Sequence, residues 1–146
     1  MADARKIEIK TRLPKQLIIL GNMEKLNRAF SNLLDNAVKY NVDGGLIEIY
    51  GNQNDDEVSI AITHTGPGVP DSKIPKVFDQ FYRVEGSRSL RYGGAGLGLA
   101  MVKRIVELHG GIVKFESQQE RWTRVTVRLP RCRKQHLDGF GGTNGA

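Results

Sequence analysis

The sequence has a single cysteine, Cys132, and no long hydrophobic run. One cysteine cannot form an internal disulfide, which favours a reducing, cytoplasmic compartment. No stretch approaches the roughly eighteen consecutive apolar residues of a membrane span, so we expect this chain to make no membrane contact. The opening residues MADARK are not followed by an apolar stretch, so we expect residues 1–4 to be a leader and not a secretory signal.

Aromatic residues are scarce at 7%, and the positive charge is not concentrated although the formal net charge is +6. Apart from a modest cluster at Arg131, Arg133 and Lys134, the basic residues are scattered, which disfavours nucleic acid as a partner. A surplus of cations is compatible with a solvated surface or with a polyphosphate ligand. The length of 146 residues is that of one domain with a sizeable core.

Apolar spacing predicts one α/β domain over residues 5–131, followed by a flexible glycine-rich tail at 132–146. Two strands are expected before the first helix, and a hairpin and a final strand pair are expected later. The predicted strands are 7–10, 17–20, 46–50, 58–62, 112–116 and 123–129. The first helix should be capped by Asn22 and run to Tyr40, a short helix should follow Asp71, and a third should end at Gly110.

The first predicted helix carries a polar stripe. Asn32, Asn36 and Lys39 lie at i, i+4 and i+7, with Tyr40 beside the end of the stripe. An asparagine oxygen is a hard ligand suited to Mg²⁺, a lysine reaches phosphate oxygens, and an aromatic ring covers a base. The alternative is a solvated helix face without a site.

Two glycine-containing segments strengthen the case for a ligand. The stretch THTGPGVP (63–70) ends a predicted strand in a tight turn, and GGAGLGL (93–99) leads directly into the third helix. The free backbone NH groups at a helix N-terminus attract an anion, and glycine lets the backbone approach a phosphate closely. The second segment is not a Walker sequence, because no Lys-Ser or Lys-Thr follows the glycines.

Taken in order, four segments resemble the motifs of sensor histidine kinases. NLLDNAVKY (32–40) resembles the N box, HTGPGVP (64–70) the G1 box, FDQFYR (78–83) the F box and GGAGLGLA (93–100) the G2 box. The chain is thus similar to the catalytic and ATP-binding domain of two-component systems, in the Bergerat-fold group. The resemblance implies a two-layer α/β (α+β) sandwich, with a mixed, mostly antiparallel sheet of about five strands and helices on one face.

The resemblance also implies roles for residues of the N box. Asn36 corresponds to the asparagine that binds Mg²⁺, Asn32 and Lys39 to residues at the phosphates, and Tyr40 to a residue against the adenine or ribose. ATP and Mg²⁺ are therefore the expected cofactors, and Asn36 and Lys39 are expected to be catalytic.

The other three boxes supply the remaining expected contacts. Gly66 and Gly68 correspond to the turn that passes close to the base, and Val69 would pack on that base. Arg83 resembles a catalytic arginine near the triphosphate. The expected backbone cradle of the phosphates consists of Gly94, Gly96, Leu97 and Gly98.

By the same resemblance, the domain presents the γ-phosphoryl group of ATP to a histidine on the dimerisation and phosphotransfer helix of the same kinase, for onward transfer to a response regulator. The typical acceptor segment, His-Glu or His-Asp followed by Leu-Arg and Pro, is absent from this sequence. We therefore expect ATP binding without self-phosphorylation. His109 lies at a predicted helix end, where capping or packing is favoured over catalysis. Two alternatives remain: a docking module that has lost nucleotide, and another Bergerat ATPase such as a serine-directed kinase.

His64 is the one departure from the four-box pattern. The family has an aspartate there, whose carboxylate accepts a hydrogen bond from the exocyclic amine of adenine, whereas a neutral imidazole offers one acceptor nitrogen. Losing a charge-assisted bond in a buried pocket costs about 1–3 kcal/mol. Three explanations stay open: a weak or degenerate ATP site, an engineered substitution, or a histidine that itself accepts the amine.

Overall fold

The computed structural model describes residues 5–80 and 98–131, which form one mixed five-stranded sheet covered by helices. The strands are β1 (Glu8–Arg12), β2 (Leu46–Gln53), β3 (Glu57–Thr65), β4 (Ile112–Gln118) and β5 (Trp122–Pro130). Their order across the sheet is β1-β2-β3-β5-β4. Only the β1–β2 pair is parallel among these strands, and the other three pairs are antiparallel. The expected fold class is therefore confirmed.

The sheet buries one face because its side chains alternate. In β5, Thr123, Val125, Val127 and Leu129 are buried, while Thr126 between them lies on the other face and is half-buried. A side-chain period of two residues places every second position on the same face. The buried set joins the helices in a single hydrophobic core, so the covered face is where a ligand pocket can form.

Helix α1 (Met23–Lys39) covers β3 because its apolar residues recur at helical spacing. Ala29, Leu33 and Ala37 are buried along one stripe, and the side chain of Asn22 accepts a hydrogen bond from the backbone NH of Lys25 at 2.9 Å. Asn22 is thus the N-cap that the sequence predicts. At the other end, the guanidinium of Arg5 donates to the backbone carbonyls of Val38 and Asn41, which attaches the segment before β1 to the C-terminal end of α1.

Helix α2 (Leu99–Leu108) packs on α1, β4 and β5. It begins after Gly98, which has a φ of 68°, and its C-cap is His109. The His109 ring bonds the carbonyl of Ile105 through Nδ1 at 2.7 Å and accepts the backbone NH of Asn22 through Nε2 at 2.9 Å. This ring joins the end of α2 to the start of α1, which confirms the expected structural role.

Two expected elements differ in the structure. Residues 17–20 form no strand; the Leu13 and Leu17 side chains lie against Gly51, where a β-carbon would come within 2.9 Å of them, and Ile19 packs against the core. The helix expected after Pro70 is a single 3-10 segment, Asp71–Lys76. Pro75 lies inside it and has no NH for an α-helical hydrogen bond, which explains why no longer helix forms.

Among the described residues, no helix is both long and apolar enough to span a membrane.

Candidate functional site

A pocket opens on the helix-covered side of the sheet, between α1 and the turn that follows β3. It is lined by Leu33, Asn36, Tyr40, Ile62, His64, Pro67, Gly68, Val69, Leu99, Phe115, Thr123 and Val125. Its walls therefore come from α1, β3, the turn, β4, β5 and the first residue of α2. A mostly apolar concave site with a few polar groups is typical of small-molecule binding.

Five residues expected at the site from the sequence lie together on this pocket: Asn36, Tyr40, His64, Gly68 and Val69. Asn36 lies in the last turn of α1 and Tyr40 is its C-cap, whereas His64, Gly68 and Val69 line the pocket from β3 and its turn. The site thus unites the N box with the G1 box, which are separated by more than twenty residues in sequence.

His64 is buried, with 7% of its surface exposed, and lies directly opposite Thr123 of β5 and Ile47 of β2. Its Nδ1 is 2.8 Å from the carbonyl oxygen of Thr65. A carbonyl only accepts, so Nδ1 carries the hydrogen. Burial lowers the pKa of His64 from its ordinary value of 6.5, and the Thr65 carbonyl opposes this effect in part. The ring is therefore neutral at neutral pH.

A buried polar cluster supports the strand end that carries His64. Asn41 is 1% exposed, and its Oδ1 accepts hydrogen bonds from the Thr65 hydroxyl at 2.5 Å and from the backbone NH of Val42 at 2.8 Å. Its Nδ2 donates to the carbonyl of Leu46, whose NH donates to the Thr65 hydroxyl at 2.8 Å. The cluster joins the end of α1 to the G1 turn, so it holds two pocket walls at a fixed separation.

The turn after β3 can only be built with glycine at two places. Gly66 has a φ of 152°, and a β-carbon there would collide with the carbonyl oxygen of Tyr40. Gly68 has a φ of 68°, and a β-carbon there would lie 2.7 Å from the carbonyl oxygen of Gln118. The NH of Val69 donates to the Ser117 hydroxyl at 2.8 Å, which attaches the turn to β4.

The other described candidates, among them Asn32 and Lys39, do not line the pocket. Asn32 is half-buried, and its amide lies 2.8 Å from where a β-carbon on Gly98 would be, so it borders the start of α2. Lys39 is the last residue of α1 and is half-buried. Four further candidates lie outside the described residues: Arg83, Gly94, Gly96 and Leu97.

The residues present fit a nucleotide with a divalent metal. The mostly apolar lining suits a base, and the side-chain oxygen of Asn36, which also lines the pocket, is a hard donor for Mg²⁺. Within the described ranges, no group of three or more His, Cys, Asp or Glu side chains could hold a metal.

Phe78, the first residue of the F box, packs against a residue that lines the pocket. The ring of Phe78 packs edge-on against Phe115, with centroids 6.4 Å apart, and the Lys103 ammonium lies 5.5 Å from the Phe78 centroid. Phe115 itself lines the pocket. Phe78 therefore connects the 3-10 segment to both the pocket wall and α2.

Three polar residues of the site were not predicted from the sequence: Asn41, Ser117 and Thr123. Thr123 had a detectable signal, because it occupies an inward position in the alternating series completed by Val125, Val127 and Leu129. Ser117 and Asn41 had no such sequence signal, because Val69 and Thr65 come close to them only in the folded chain.

Comparison with known proteins agrees with this geometry. The family described as histidine kinase-, DNA gyrase B- and HSP90-like ATPase matches residues 21–133. The signal transduction histidine-protein kinase BaeS of Escherichia coli (strain K12) is 36% identical over 127 residues, covering 87% of this chain and 27% of BaeS. The sensor protein VanS of Enterococcus faecium is 41% identical over 117 residues, covering 80% of this chain and 30% of VanS.

A solved structure is similar over nearly the whole chain. The mycobacterial sensor histidine kinase MprB superposes with a TM-score of 0.77 at 30% identity, over 90% of this chain and 87% of that one. The chain spans about a third or less of the curated relatives BaeS and VanS. With its pocket, its boxes and these matches, the chain belongs to the histidine kinase-, DNA gyrase B- and HSP90-like ATPase family, as an ATP-binding catalytic domain of the sensor histidine kinase type.

Proposed function

We propose that this domain, residues 5–131, binds ATP with Mg²⁺ in the pocket and presents the γ-phosphoryl group to a histidine on the dimerisation helix of the same kinase. A response regulator would then receive the phosphoryl group. The domain would work on the cytoplasmic side of a longer sensor, and residues 132–146 would be a flexible tail outside it.

The observation that carries this proposal is the meeting of the N box and the G1 box on one pocket. Asn36 comes from α1 and Tyr40 from its C-cap, and His64, Gly68 and Val69 come from β3 and its turn. The pocket is thus lined mostly by apolar side chains together with the Asn36 amide, and Asn32 borders Gly98 at the start of α2. A base, a metal and a phosphate chain need an apolar wall, a hard oxygen donor and free NH groups.

Phosphoryl transfer depends mostly on positioning and on charge stabilisation. Tyr40 and Val69 would hold the base, and Asn36 would orient the metal, which when bound neutralises charge on the phosphates. Asn32 and Lys39 would contact phosphate oxygens, and Gly98 would leave the first NH groups of α2 open to them. Gly94, Gly96 and Leu97 would extend that cradle, and Arg83 would approach the triphosphate.

The test is transfer of labelled phosphate from ATP. We expect no acid-labile phosphate on this chain alone, and acid-labile phosphate on the acceptor helix when a longer product of the same gene supplies it. Asn36→Ala should reduce transfer at least about a hundredfold, because a positioned metal contributes several kcal/mol to such reactions. Asn52→Ala, on the β2–β3 hairpin away from the pocket, is the matched control and should leave transfer unchanged.

Three results would contradict the proposal. Acid-stable phosphoserine on a protein substrate would indicate a serine-directed kinase. An absence of any nucleotide binding would indicate a docking module. Acid-labile phosphate on the isolated chain would place an acceptor histidine within these 146 residues.

A further inference from the structure

The sheet side of the pocket carries two polar groups side by side. His64 on β3 and Thr123 on β5 are direct partners in the antiparallel register, both face the helices, and both line the pocket. Each is 7% exposed. Which hydrogen-bonding role each group offers to a ligand follows from the bonds it already makes inside the protein.

His64 offers an acceptor. Its Nδ1–H is committed to the carbonyl oxygen of Thr65 at 2.8 Å, and the neutral ring then has a lone pair on Nε2. No buried side-chain nitrogen or oxygen in the described part of the chain lacks a hydrogen-bond partner, so an Nε2 that faces the pocket is not sealed in the core. The Thr65 carbonyl therefore selects the tautomer that points a lone pair at a ligand.

Thr123 offers a second acceptor. The Ser117 hydroxyl is 3.0 Å from the carbonyl of Trp122, and because that carbonyl only accepts, Ser117 donates its proton to it. The contact of 3.0 Å between the Ser117 and Thr123 hydroxyls must then be a bond that Thr123 donates. With its proton committed, Thr123 Oγ1 has only lone pairs left for the pocket.

We propose that His64 Nε2, with Thr123 Oγ1 beside it, forms a pair of acceptors that selects the exocyclic amine of ATP in place of a carboxylate. This inference rests on the proposed nucleotide site and specifies how that site selects its base. The 6-amino group of adenine has two N–H donors, one for each acceptor. Guanine has a carbonyl oxygen at that position, which would face two lone pairs.

The preference for ATP should depend on pH, because the group that accepts from the adenine amine is a histidine and can itself be protonated. A protonated His64 has hydrogens on both nitrogens and would present a donor to the amine. Tyr40, at the C-cap of α1, is the other titratable side chain that lines the pocket, and Glu48, Arg121 and Arg124 line a second cavity that His64 also borders. Glu48 and Arg124 lie on the opposite face of the sheet, since they alternate with the buried residues of β2 and β5.

The test compares affinities for ATP, GTP and purine riboside triphosphate, which lacks the 6-amino group. In the unaltered chain at pH 7.5, we expect ATP to bind about 10- to 100-fold more tightly than purine riboside triphosphate, the preference that one or two hydrogen bonds confer. His64→Leu keeps a side chain of similar bulk without an acceptor and should reduce that preference to about threefold or less. Thr123→Val should reduce it in part.

Thr126→Val is the matched control, because it makes the same substitution on the same strand but on the face away from the pocket. It should keep the full preference. An undiminished preference in His64→Leu would overturn the proposal while leaving the proposed function intact. If the unaltered chain binds none of the three nucleotides, the proposed function fails and this inference fails with it.

A second measurement needs no substitution. The ratio of ATP affinity to purine riboside triphosphate affinity should decline as the pH is lowered from 7.5 to 5.5, because only ATP uses the lone pair of His64. Both ligands carry the same triphosphate, so its protonation cancels in the ratio. Because burial lowers the pKa of His64, the decline should be concentrated at the acidic end of this range, and a ratio that rises as the pH is lowered would also overturn the proposal.

Discussion

At the scale of single residues, the neighbours of His64 fix both its tautomer and its charge. The Thr65 carbonyl oxygen lies 2.8 Å from Nδ1 and can only accept, so the hydrogen is on Nδ1. The side chain is buried, and burial lowers the pKa of the ring from its ordinary value of 6.5. The imidazole is therefore a neutral base whose lone pair is on Nε2.

The burial of His64 makes the stability of the domain depend on pH. Its pKa is lowered in the folded state, so the unfolded chain binds more protons below about pH 6.5, the ordinary histidine pKa. Stability is therefore complete above that pH and falls as the pH decreases. Between pH 7.5 and 5.5 this one group can remove up to about 1.4 kcal/mol from the free energy of unfolding.

Urea unfolding of the unaltered chain and of His64→Asn at pH 7.5, 6.5 and 5.5 measures this effect. Asparagine does not titrate, so the difference in free energy of unfolding between the two proteins should change with pH. A constant difference would show that His64 does not resist protonation.

The Thr65 hydroxyl should be important for stability because it bonds two buried groups. Thr65→Val removes the donor to Asn41 Oδ1 and the acceptor of the Leu46 NH, and should lower the free energy of unfolding by about 1–3 kcal/mol. Thr65→Ser keeps the hydroxyl and should cost clearly less. Urea midpoints compare the two, and equal midpoints would mean that the cluster contributes nothing.

At the scale of elements, the most reliable sequence predictions concerned features that depend only on residues within one segment. Asn22 as an N-cap and the stripe of α1 depend on local spacing and are confirmed. The stretch 17–20 was predicted to be a strand because it is apolar, but Leu17 lies against Gly51 and Ile19 packs against the core without strand pairing. Whether an apolar run pairs as a strand is decided by the tertiary contacts that it makes.

The turn between β3 and the 3-10 segment should tolerate no side chain at Gly68. Gly68→Ala combines a left-handed φ of 68° with a β-carbon 2.7 Å from the carbonyl oxygen of Gln118. Gly44→Ala is the matched control, because its φ is 76° and nothing lies within 4 Å of the added carbon. We expect about 1 kcal/mol of destabilisation at Gly44 and about 1–3 kcal/mol more at Gly68.

Thermal unfolding and ATP titration of both variants test this expectation. Gly68→Ala should also weaken ATP binding, since the turn forms a pocket wall, whereas Gly44→Ala should bind ATP normally. Equal losses of stability in the two variants would show that the turn moves to accommodate the added carbon.

At the scale of the whole molecule, the pocket is a product of the complete fold. The order of strands and helices could be predicted from the four boxes, because proteins that share these motifs share a fold. The hydrogen bonds that join Val69 to Ser117 and Thr65 to Asn41 could not, because each joins residues that are far apart in sequence. Sequence therefore predicted the pocket walls better than the bonds that hold those walls together.

Because the site joins so many elements, ATP should stabilise the entire domain. Bound at a hundred times its Kd, a ligand adds about 2.7 kcal/mol to the free energy of unfolding, which raises the Tm by roughly 10 °C in a domain of this size. We expect such a shift with ATP and Mg²⁺, and a smaller one when EDTA removes the metal. Differential scanning calorimetry measures both, and an unchanged Tm with ATP and Mg²⁺ would contradict the assigned site.

The central place of β5 also affects how the chain is made. This strand is the last of the five in sequence, yet it lies between β3 and β4 and supplies Thr123 to the pocket. While the ribosome is still synthesising it, β3 and β4 both have unpaired edges that invite aggregation or chaperone binding. The nucleotide pocket is incomplete at that stage, so ATP cannot stabilise a chain that lacks β5. ATP binding therefore requires that the chain has been synthesised beyond Pro130.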